Sequence, residues 1–274
     1  MTELYKAEKI TDRISRIVMP GAVFAYIVEG DEKATLIDTG FGLGPFREYV
    51  EERLQKKPYE LILTHGHLDH AGGASEFEKV YMNGADLPIA RKHTQKQMRK
   101  QFLENSGHEV KMEDLAEPME EGYLPLSYGQ SFDLGNETIE IVDLGGHTPG
   151  SIGVLIKKER ILLAGDACCS FTLLFGHGES LNISEYRDRL QKTWDQYHEA
   201  FDTMIYSHPH NYGGKEVMSQ MIELCDEILS GKDDHIQGPG LFDAVTYIGK
   251  KVNEKGRRID GKIANLQYSG DCLA

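Results

Sequence analysis

Residues 60–70 read ELILTHGHLDH, and they are the most informative part of the chain. The segment from Glu60 to Thr64 is a short apolar run of the kind that forms a buried strand. His65 follows this run directly. Because α/β folds expose their chemistry at the ends of strands, we predict a strand that leads straight into a functional site.

The six residues after the predicted strand contain three histidines and one aspartate. Imidazole and carboxylate are good ligands for zinc and its neighbours. His65 and His67 can face one ion from a tight loop, while Asp69 and His70 turn toward a second. A core role would bury polar groups at a cost of about 2 kcal/mol or more each. The segment therefore predicts a metal site.

Four further motifs follow one another along the chain: LIDTG at 36–40, GHTPGS at 146–151, LLAGD at 162–166 and SH at 207–208. Together with residues 65–70, these motifs resemble the metallo-β-lactamase superfamily in identity, order and spacing. The resemblance covers roughly residues 20–215. Five motifs in the right order are far more specific than any one of them alone.

The resemblance implies a four-layer αβ/βα sandwich of the α/β class, with two metal ions at one edge of two facing sheets. It also implies seven ligands, which are His65, His67 and His147 for one ion, Asp69, His70 and His208 for the other, and Asp166 as a bridge. Asp38 matches a position that orients a ligand or the ligand loop.

This ligand set suits two divalent ions about 3.5–4 Å apart. Zinc is the expected metal, with manganese or iron as alternatives. A water that bridges two metals exists as hydroxide near neutral pH and can attack a carbonyl or phosphoryl centre. Asp69 is a candidate proton shuttle as well as a ligand, and Asp38 is the second candidate catalytic residue.

Two positions narrow the predicted chemistry. Residue 166 is Asp rather than Cys, which resembles glyoxalase II, acyl-homoserine lactonases and the phosphodiesterase or tRNA-processing branches. His67 stands where flavodiiron oxygen reductases have Glu. We therefore predict a binuclear hydrolase of a small ester, thioester, lactone or amide. A phosphodiesterase or nuclease, and a mononuclear iron oxidoreductase similar to persulfide dioxygenases, stay open as alternatives.

Composition bears on partners and compartment. The 274 residues carry a formal charge of −14, and a field of that sign repels phosphate backbones. We expect a small-molecule substrate and no nucleic acid or membrane partner, with a homodimer left open. The chain starts without an apolar signal segment, and its four cysteines show no framework spacing. These features predict a cytoplasmic protein with reduced thiols.

We predict a single domain over residues 1–274, because no linker-like segment divides the chain. Residues 105–128 are acidic and irregular, and we interpret them as a lid insert over the site. Residues 232–274 form a tail that packs on the domain and includes a hairpin around Asn253 to Gly261. One helix is predicted from about Asp86 to Glu104, and another begins at Ser184 as its cap.

Some side chains outside the ligand motifs receive separate interpretations. His177 and Tyr212 are candidates for the substrate pocket, because they lie in loops that follow Asp166 and His208. The remaining motif-free histidines are expected at the surface or at helix caps, and they are His93, His108, His198 and His235.

Overall fold

A computed structural model of the chain describes residues 4–240 and 244–273. Contacts divide the chain into two compact units. The first contains Met1–Glu140 and Ser207–Pro209, and the second contains Ile141–Tyr206 and His210–Ala274. Within the described ranges, no helix is both long and apolar enough to cross a membrane. The single domain expected over residues 1–274 stays a prediction.

The first unit is built on a seven-stranded sheet whose strands lie in chain order. These strands are β1 (Lys6–Lys9), β2 (Ile14–Met19), β3 (Val23–Glu29), β4 (Ala34–Ile37), β5 (Tyr59–Ile62), β6 (Val80–Met82) and β7 (Leu124–Pro125). Neighbours from β1 to β4 are antiparallel, and those from β4 to β7 are parallel. The carboxyl ends of β4 and β5 therefore share one edge of the sheet. Asp38 follows β4 there, and the segment that begins at His65 follows β5.

Three helices accompany this sheet, α1 (Phe46–Leu54), α2 (Leu87–His93) and α3 (Lys96–Asn105). Short 3₁₀ turns lie at 74–76, 84–86 and 112–114. The prediction of a single helix over 86–104 is wrong, because the helix is interrupted at Thr94 and Gln95. The Thr94 hydroxyl donates to the Ala90 carbonyl at 2.7 Å, and Gln95 adopts an extended conformation before α3 begins. Side-chain bonding of this kind competes with continuation of a helix.

The acidic insert, residues 105–128, packs within the first unit. Leu115 forms an antiparallel bridge with Leu43, and the Ala116 N–H donates to the Gly42 carbonyl at 2.8 Å. The insert then supplies β7 to the edge of the sheet. These contacts tie its middle and its end to the fold. Its proposed role as a lid stays a prediction.

Two sheets contribute to the rest of the chain. Their strands are β8 (Ser131–Asp133), β9 (Thr138–Asp143), β10 (Ile152–Ile156), β11 (Ile161–Leu163), β12 (Phe171–Leu174), β13 (Thr203–Ile205), β14 (Ile236–Gln237), β15 (Thr246–Ile248) and β16 (Asn265–Ser269). The first sheet has the order β13–β11–β10–β9–β8, and the second has the order β12–β16–β15–β14. β8 pairs with the start of β9 in the first unit. The second unit also contains α4 (Ile183–Tyr197), α5 (Glu216–Leu229) and a final 3₁₀ turn (Gly270–Leu273).

Two predictions for this part of the chain have clear outcomes. The cap of α4 is Asn182, whose side chain accepts from the Glu185 N–H at 2.9 Å, so the prediction of Ser184 as cap is wrong. The tail hairpin is confirmed by an antiparallel bridge between Val252 and Arg258. The tail also adds β16 beside β12 in the second unit. Residues 241–243 of the predicted tail lie outside the described residues.

Candidate metal centre

Asp38 connects the ends of two strands of the first unit to the ligand motif. It follows β4 with a positive φ of 65°, and it is buried. One carboxylate oxygen, Oδ1, accepts from the Thr64 N–H at 2.8 Å. The other, Oδ2, accepts from the Thr64 hydroxyl and lies 2.8 Å from His70 Nδ1. A single carboxylate thus connects the end of β4, the end of β5 and the last histidine of the motif.

The segment from His65 to His70 is a tight turn. The Ala71 N–H donates to the His67 carbonyl at 2.9 Å. His65 Nδ1 lies 3.0 Å from the Thr64 hydroxyl, and His65 Nε2 lies 3.0 Å from His67 Nδ1. Two ligand nitrogens on one tetrahedral zinc ion would stand ~3.3 Å apart, given Zn–N bonds of about 2.0–2.1 Å. His65 and His67 are therefore spaced to share an ion.

Asp69, His70 and His208 form a second group in the same unit. One candidate ligand atom from each residue lies within 4.8 Å of the other two. Asp69 Oδ1 is 3.6 Å from His70 Nε2, and Asp69 Oδ2 is 3.4 Å from His208 Nε2. One carboxylate and two imidazoles are a common donor set for divalent transition metals. The residues therefore fit a metal ion by donor type and spacing.

The outer nitrogens of these two imidazoles are held by other groups. His70 Nδ1 lies 2.8 Å from the Asp38 carboxylate, and His208 Nδ1 lies 2.8 Å from the carbonyl of Ala22. Such partners select the tautomer with hydrogen on Nδ1 and direct the Nε2 lone pair toward a metal. The segment that carries His208 is itself docked on β3, where the Phe24 N–H donates to the Ser207 carbonyl.

Arg99 of α3 supports the loops around this group, and its sequence context gave no indication of such a role. Its buried guanidinium donates to the carbonyls of Phe41 and Gly72 at 2.8 and 2.9 Å and to that of Ala116 at 2.5 Å. Its Nε donates to the Thr94 carbonyl. Burial lowers the pKa of Arg99 to about 10, which leaves it charged at neutral pH. Gly72 lies two residues beyond His70, so Arg99 fixes the exit of the ligand loop.

Helix α2 also contacts the ligand loop. The Gly66 N–H donates to the buried carboxylate of Asp86 at 2.8 Å. The ring of His93 stacks on the ring of His67, with centroids 4.9 Å apart and planes 23° apart. His93 is only 2% exposed, so its expected place at the surface or a cap is wrong. The sequence pattern could not predict this contact, because His67 and His93 are 26 positions apart in the chain.

In the second unit, His147 lies in the loop after β9. It is buried, and its Nδ1 lies 2.8 Å from the Leu173 carbonyl. The preceding Gly146 packs against Tyr186, where an added Cβ would lie 1.9 Å from the ring. Only glycine fits this position, and the close approach to α4 fixes the path of the chain into His147. Because a carbonyl can only accept, the Leu173 contact favours hydrogen on Nδ1 of His147 and leaves the Nε2 lone pair available to a ligand.

Asp166 follows β11 through Gly165, which has a positive φ of 56°. The next residue, Ala167, accepts a hydrogen bond from the Tyr186 hydroxyl at 2.6 Å. Cys168 and Cys169 are buried, and burial raises the pKa of the Cys168 thiol well above its usual range. Cys168 is therefore a neutral core residue at physiological pH, and it offers no activated thiolate.

The two pocket candidates lie in the second unit, each with a definite neighbour. His177 has a positive φ of 52°, and its Nδ1 lies 2.8 Å from Asp271 at the surface. Tyr212 donates its N–H to the Ser170 hydroxyl, and the Arg257 guanidinium lies 5.0 Å from the centre of its ring. A role for either residue in substrate binding stays a prediction.

Comparisons with known proteins identify the family and the fold of the chain. The profile of the Metallo-beta-lactamase superfamily matches residues 18–210. The chain is 25% identical over 165 residues to the human acyl-coenzyme A thioesterase MBLAC2, which covers 54% of this chain and 59% of that protein. It is 24% identical over 211 residues to the atrochrysone carboxyl ACP thioesterase of Passalora fulva, which covers 72% of this chain and 54% of that one. The chain thus spans little more than half the length of these relatives.

The fold is shared with solved structures. A metallo-beta-lactamase from Pontibacter korlensis superposes with a TM-score of 0.56 at 19% identity, over 81% of this chain and 99% of that one. This similarity confirms the predicted α/β sandwich of the metallo-β-lactamase type. The profile match alone spans well over half of the described sequence and includes all five motifs. The chain therefore belongs to the metallo-β-lactamase superfamily.

Proposed function

We propose that the chain is a metal-dependent hydrolase of small thioesters, with esters, lactones and amides as neighbouring substrates. The observation that carries the proposal is the group of Asp69, His70 and His208, whose ligand atoms lie within 4.8 Å of one another. Asp38 and the Ala22 carbonyl hold the two imidazoles with Nε2 directed at that group. The relatives named above are acyl-coenzyme A and ACP thioesterases, which supports thioesters as the first substrate class.

The proposal assigns two divalent ions to the site, with zinc as the first candidate and manganese or iron as alternatives. Asp69, His70 and His208 would hold one of them. The other proposed ligands are His65, His67, His147 and Asp166, and the assignment of the last two rests on their motifs. When bound, such ions supply an acidified water and a polarised carbonyl oxygen.

The chain's own residues have separate tasks in this proposal. Asp38 orients His70 through the 2.8 Å contact to Nδ1. Asp69, whose oxygens lie between the Nε2 atoms of His70 and His208, takes a proton from the attacking water and returns it to the leaving sulfur or oxygen. The C–S or C–O bond breaks, and a carboxylic acid and a thiol or alcohol leave. The Cys168 thiol does not compete as nucleophile, because it is buried and its raised pKa keeps it protonated.

The test is a substrate panel on the purified full chain, before and after metal removal. Acyl-coenzyme A and S-acyl-N-acetylcysteamine represent thioesters, p-nitrophenyl acetate represents esters, and bis(p-nitrophenyl) phosphate represents phosphodiesters. We expect thioester cleavage that a chelator abolishes and added zinc restores. Cleavage of the phosphodiester alone would favour the nuclease alternative. Activity that requires one iron and dioxygen would favour the oxidoreductase.

A second experiment addresses the nucleophile. An activated acyl substrate is mixed with the enzyme, and intact-protein mass is followed during turnover. We expect no acylated protein, because Cys168 and Ser151 are buried in the second unit and burial raises the pKa of the Cys168 thiol well above its usual range. Ser151 is hydrogen-bonded to Thr148 at 2.7 Å. An acyl-enzyme that forms and decays at the rate of turnover would contradict direct hydrolysis by water.

A further inference from the structure

Helix α2 packs so closely against the ligand loop at Gly66 that no residue other than glycine fits there. A Cβ at this position would lie 2.9 Å from both the Ala90 nitrogen and the Asp86 carbonyl oxygen. The Gly66 N–H meanwhile donates to Asp86 Oδ2. The backbone between His65 and His67 is therefore held against the first turn of α2.

The other end of α2 meets the next residue of the loop. His93 is the last residue of the helix and lies seven positions after Asp86. Seven residues are close to two helical turns, which places both side chains on the same face. The His93 ring consequently lies on His67, with centroids 4.9 Å apart and an interplanar angle of 23°. Both rings are buried, with His67 7% and His93 2% exposed.

The stack acts on the side-chain torsions of His67, which the backbone contacts at Gly66 leave open. Asp86 fixes the chain beside His67, yet rotation of the imidazole could still turn its nitrogens away. The face of His93 blocks that rotation. It holds the His67 ring where Nδ1 lies 3.0 Å from His65 Nε2. A ligand pair whose spacing is set before the metal arrives loses less conformational entropy on binding.

We propose that His93 is a positioning residue, which uses its ring face to fix the plane of His67 for metal binding. The inference rests on the proposed function, because it assigns His67 to a metal. It also makes α2 part of the support of the site, with Asp86 holding the backbone and His93 holding the ring. Replacing a residue that holds a metal ligand in place typically lowers metal affinity by about 10–100-fold.

The test compares full-length wild type, His93→Ala and His93→Phe, each stripped of metal and titrated with zinc against a chromophoric chelator. His198→Ala is the matched control, because His198 stacks on Trp194 at 5.2 Å and 21° in the second unit. We expect His93→Ala to lose at least about tenfold in zinc affinity. His93→Phe, which keeps a flat ring, and the control should stay within about threefold of wild type. The visible spectrum of the cobalt-substituted protein should change only in His93→Ala.

Each other outcome overturns the inference in a recognisable way. Unchanged affinity and an unchanged cobalt spectrum in His93→Ala would remove any positioning role. A His93→Phe variant as weak as His93→Ala would show that the ring face is not the feature that matters. If His93→Ala fails to fold by circular dichroism, His93→Asn replaces it under the same limits. A wild-type chain that binds no metal would overturn the metal centre itself, and this inference with it.

Discussion

Asp38 Oδ2 lies 2.8 Å from His70 Nδ1, although 32 residues separate the two in the chain. The same carboxylate accepts two hydrogen bonds from Thr64. We expect Asp38→Asn to reduce zinc affinity by about 10–100-fold, because the amide cannot supply four acceptor sites or a negative charge. Titration of the apoprotein with zinc measures the change.

The control for this substitution is Asp271→Asn. Asp271 also lies 2.8 Å from a histidine nitrogen, that of His177, but the pair is exposed and neither residue is a proposed metal ligand. Its variant should bind zinc as the wild type does. Equal affinities for all three proteins would show that Asp38 does not tune the ligand loop.

Metal stoichiometry provides a second prediction. The full chain should hold about two transition-metal ions after metal loading and desalting, as expected for a binuclear hydrolase. His208→Ala removes one member of the Asp69–His70–His208 group, so about one ion should remain. His210→Ala, two residues further along, should retain both. Elemental analysis gives the counts. A single ion in the wild type, or identical counts in wild type and His208→Ala, would contradict the assignment.

A third prediction concerns Arg99 and stability. Arg99→Met would leave the carbonyls of Phe41, Gly72 and Ala116 buried without their donor. Each such carbonyl costs about 1–3 kcal/mol, so the free energy of unfolding should fall by at least ~3 kcal/mol. Urea denaturation measures the loss. Arg53→Met, at an exposed position on α1, should change it by less than about 0.5 kcal/mol. Equal losses in the two variants would be inconsistent with a specific role for Arg99.

The buried thiols give a pH prediction. Burial raises the pKa of Cys168 well above its usual range and that of Cys272 to about 11. The native state keeps these protons while the unfolded chain releases them above about pH 8.5. The native state then binds more protons than the unfolded one, so the free energy of unfolding should fall as pH rises past that value. It should be insensitive to these thiols at pH 7.

Two measurements check this expectation. A disulfide reagent at pH 8 should label the folded protein slowly and the denatured protein at four cysteines. Denaturation curves at pH 7, 8.5 and 10 (roughly the range over which free thiols titrate) should show the decline, and Cys168→Ala should show a shallower one. Rapid labelling of the folded protein would mean that at least one of the four buried thiols is accessible to solvent.

The ligand motif could be predicted from sequence because its information is local. The strand β5, the turn and four donor side chains fall within residues 59–70, so pattern and chemistry reinforce each other there. The α/β fold was implied by the family resemblance that five such motifs in order carry, and the profile match confirms the family. Helix α4 was also predictable from its periodicity, but its cap was displaced by two residues, because Asn182 and Ser184 are equally good cap residues by composition.

The parts that sequence did not predict depend on contacts between distant segments. His93 carries no motif, and only the packing of α2 against Gly66 brings it to His67. β1 was missed because KAEK is polar and lies at the edge of the sheet with little burial. The break between α2 and α3 was missed because Thr94 and Gln95 do not exclude a helix. The Thr94 side chain and the Arg99 contact decide it.

The bonds that Arg99 makes also have a consequence for how this chain can diverge. All of its acceptors are main-chain carbonyls, at Phe41, Gly72, Thr94 and Ala116. Every amino acid has that carbonyl, so substitutions at Phe41 or Ala116 leave the hydrogen bond available. Replacement of Arg99 removes all of the bonds at once. Substitutions should therefore be tolerated at residues such as Phe41 and Ala116 as far as these hydrogen bonds are concerned. Substitutions of Arg99 itself should hardly be tolerated.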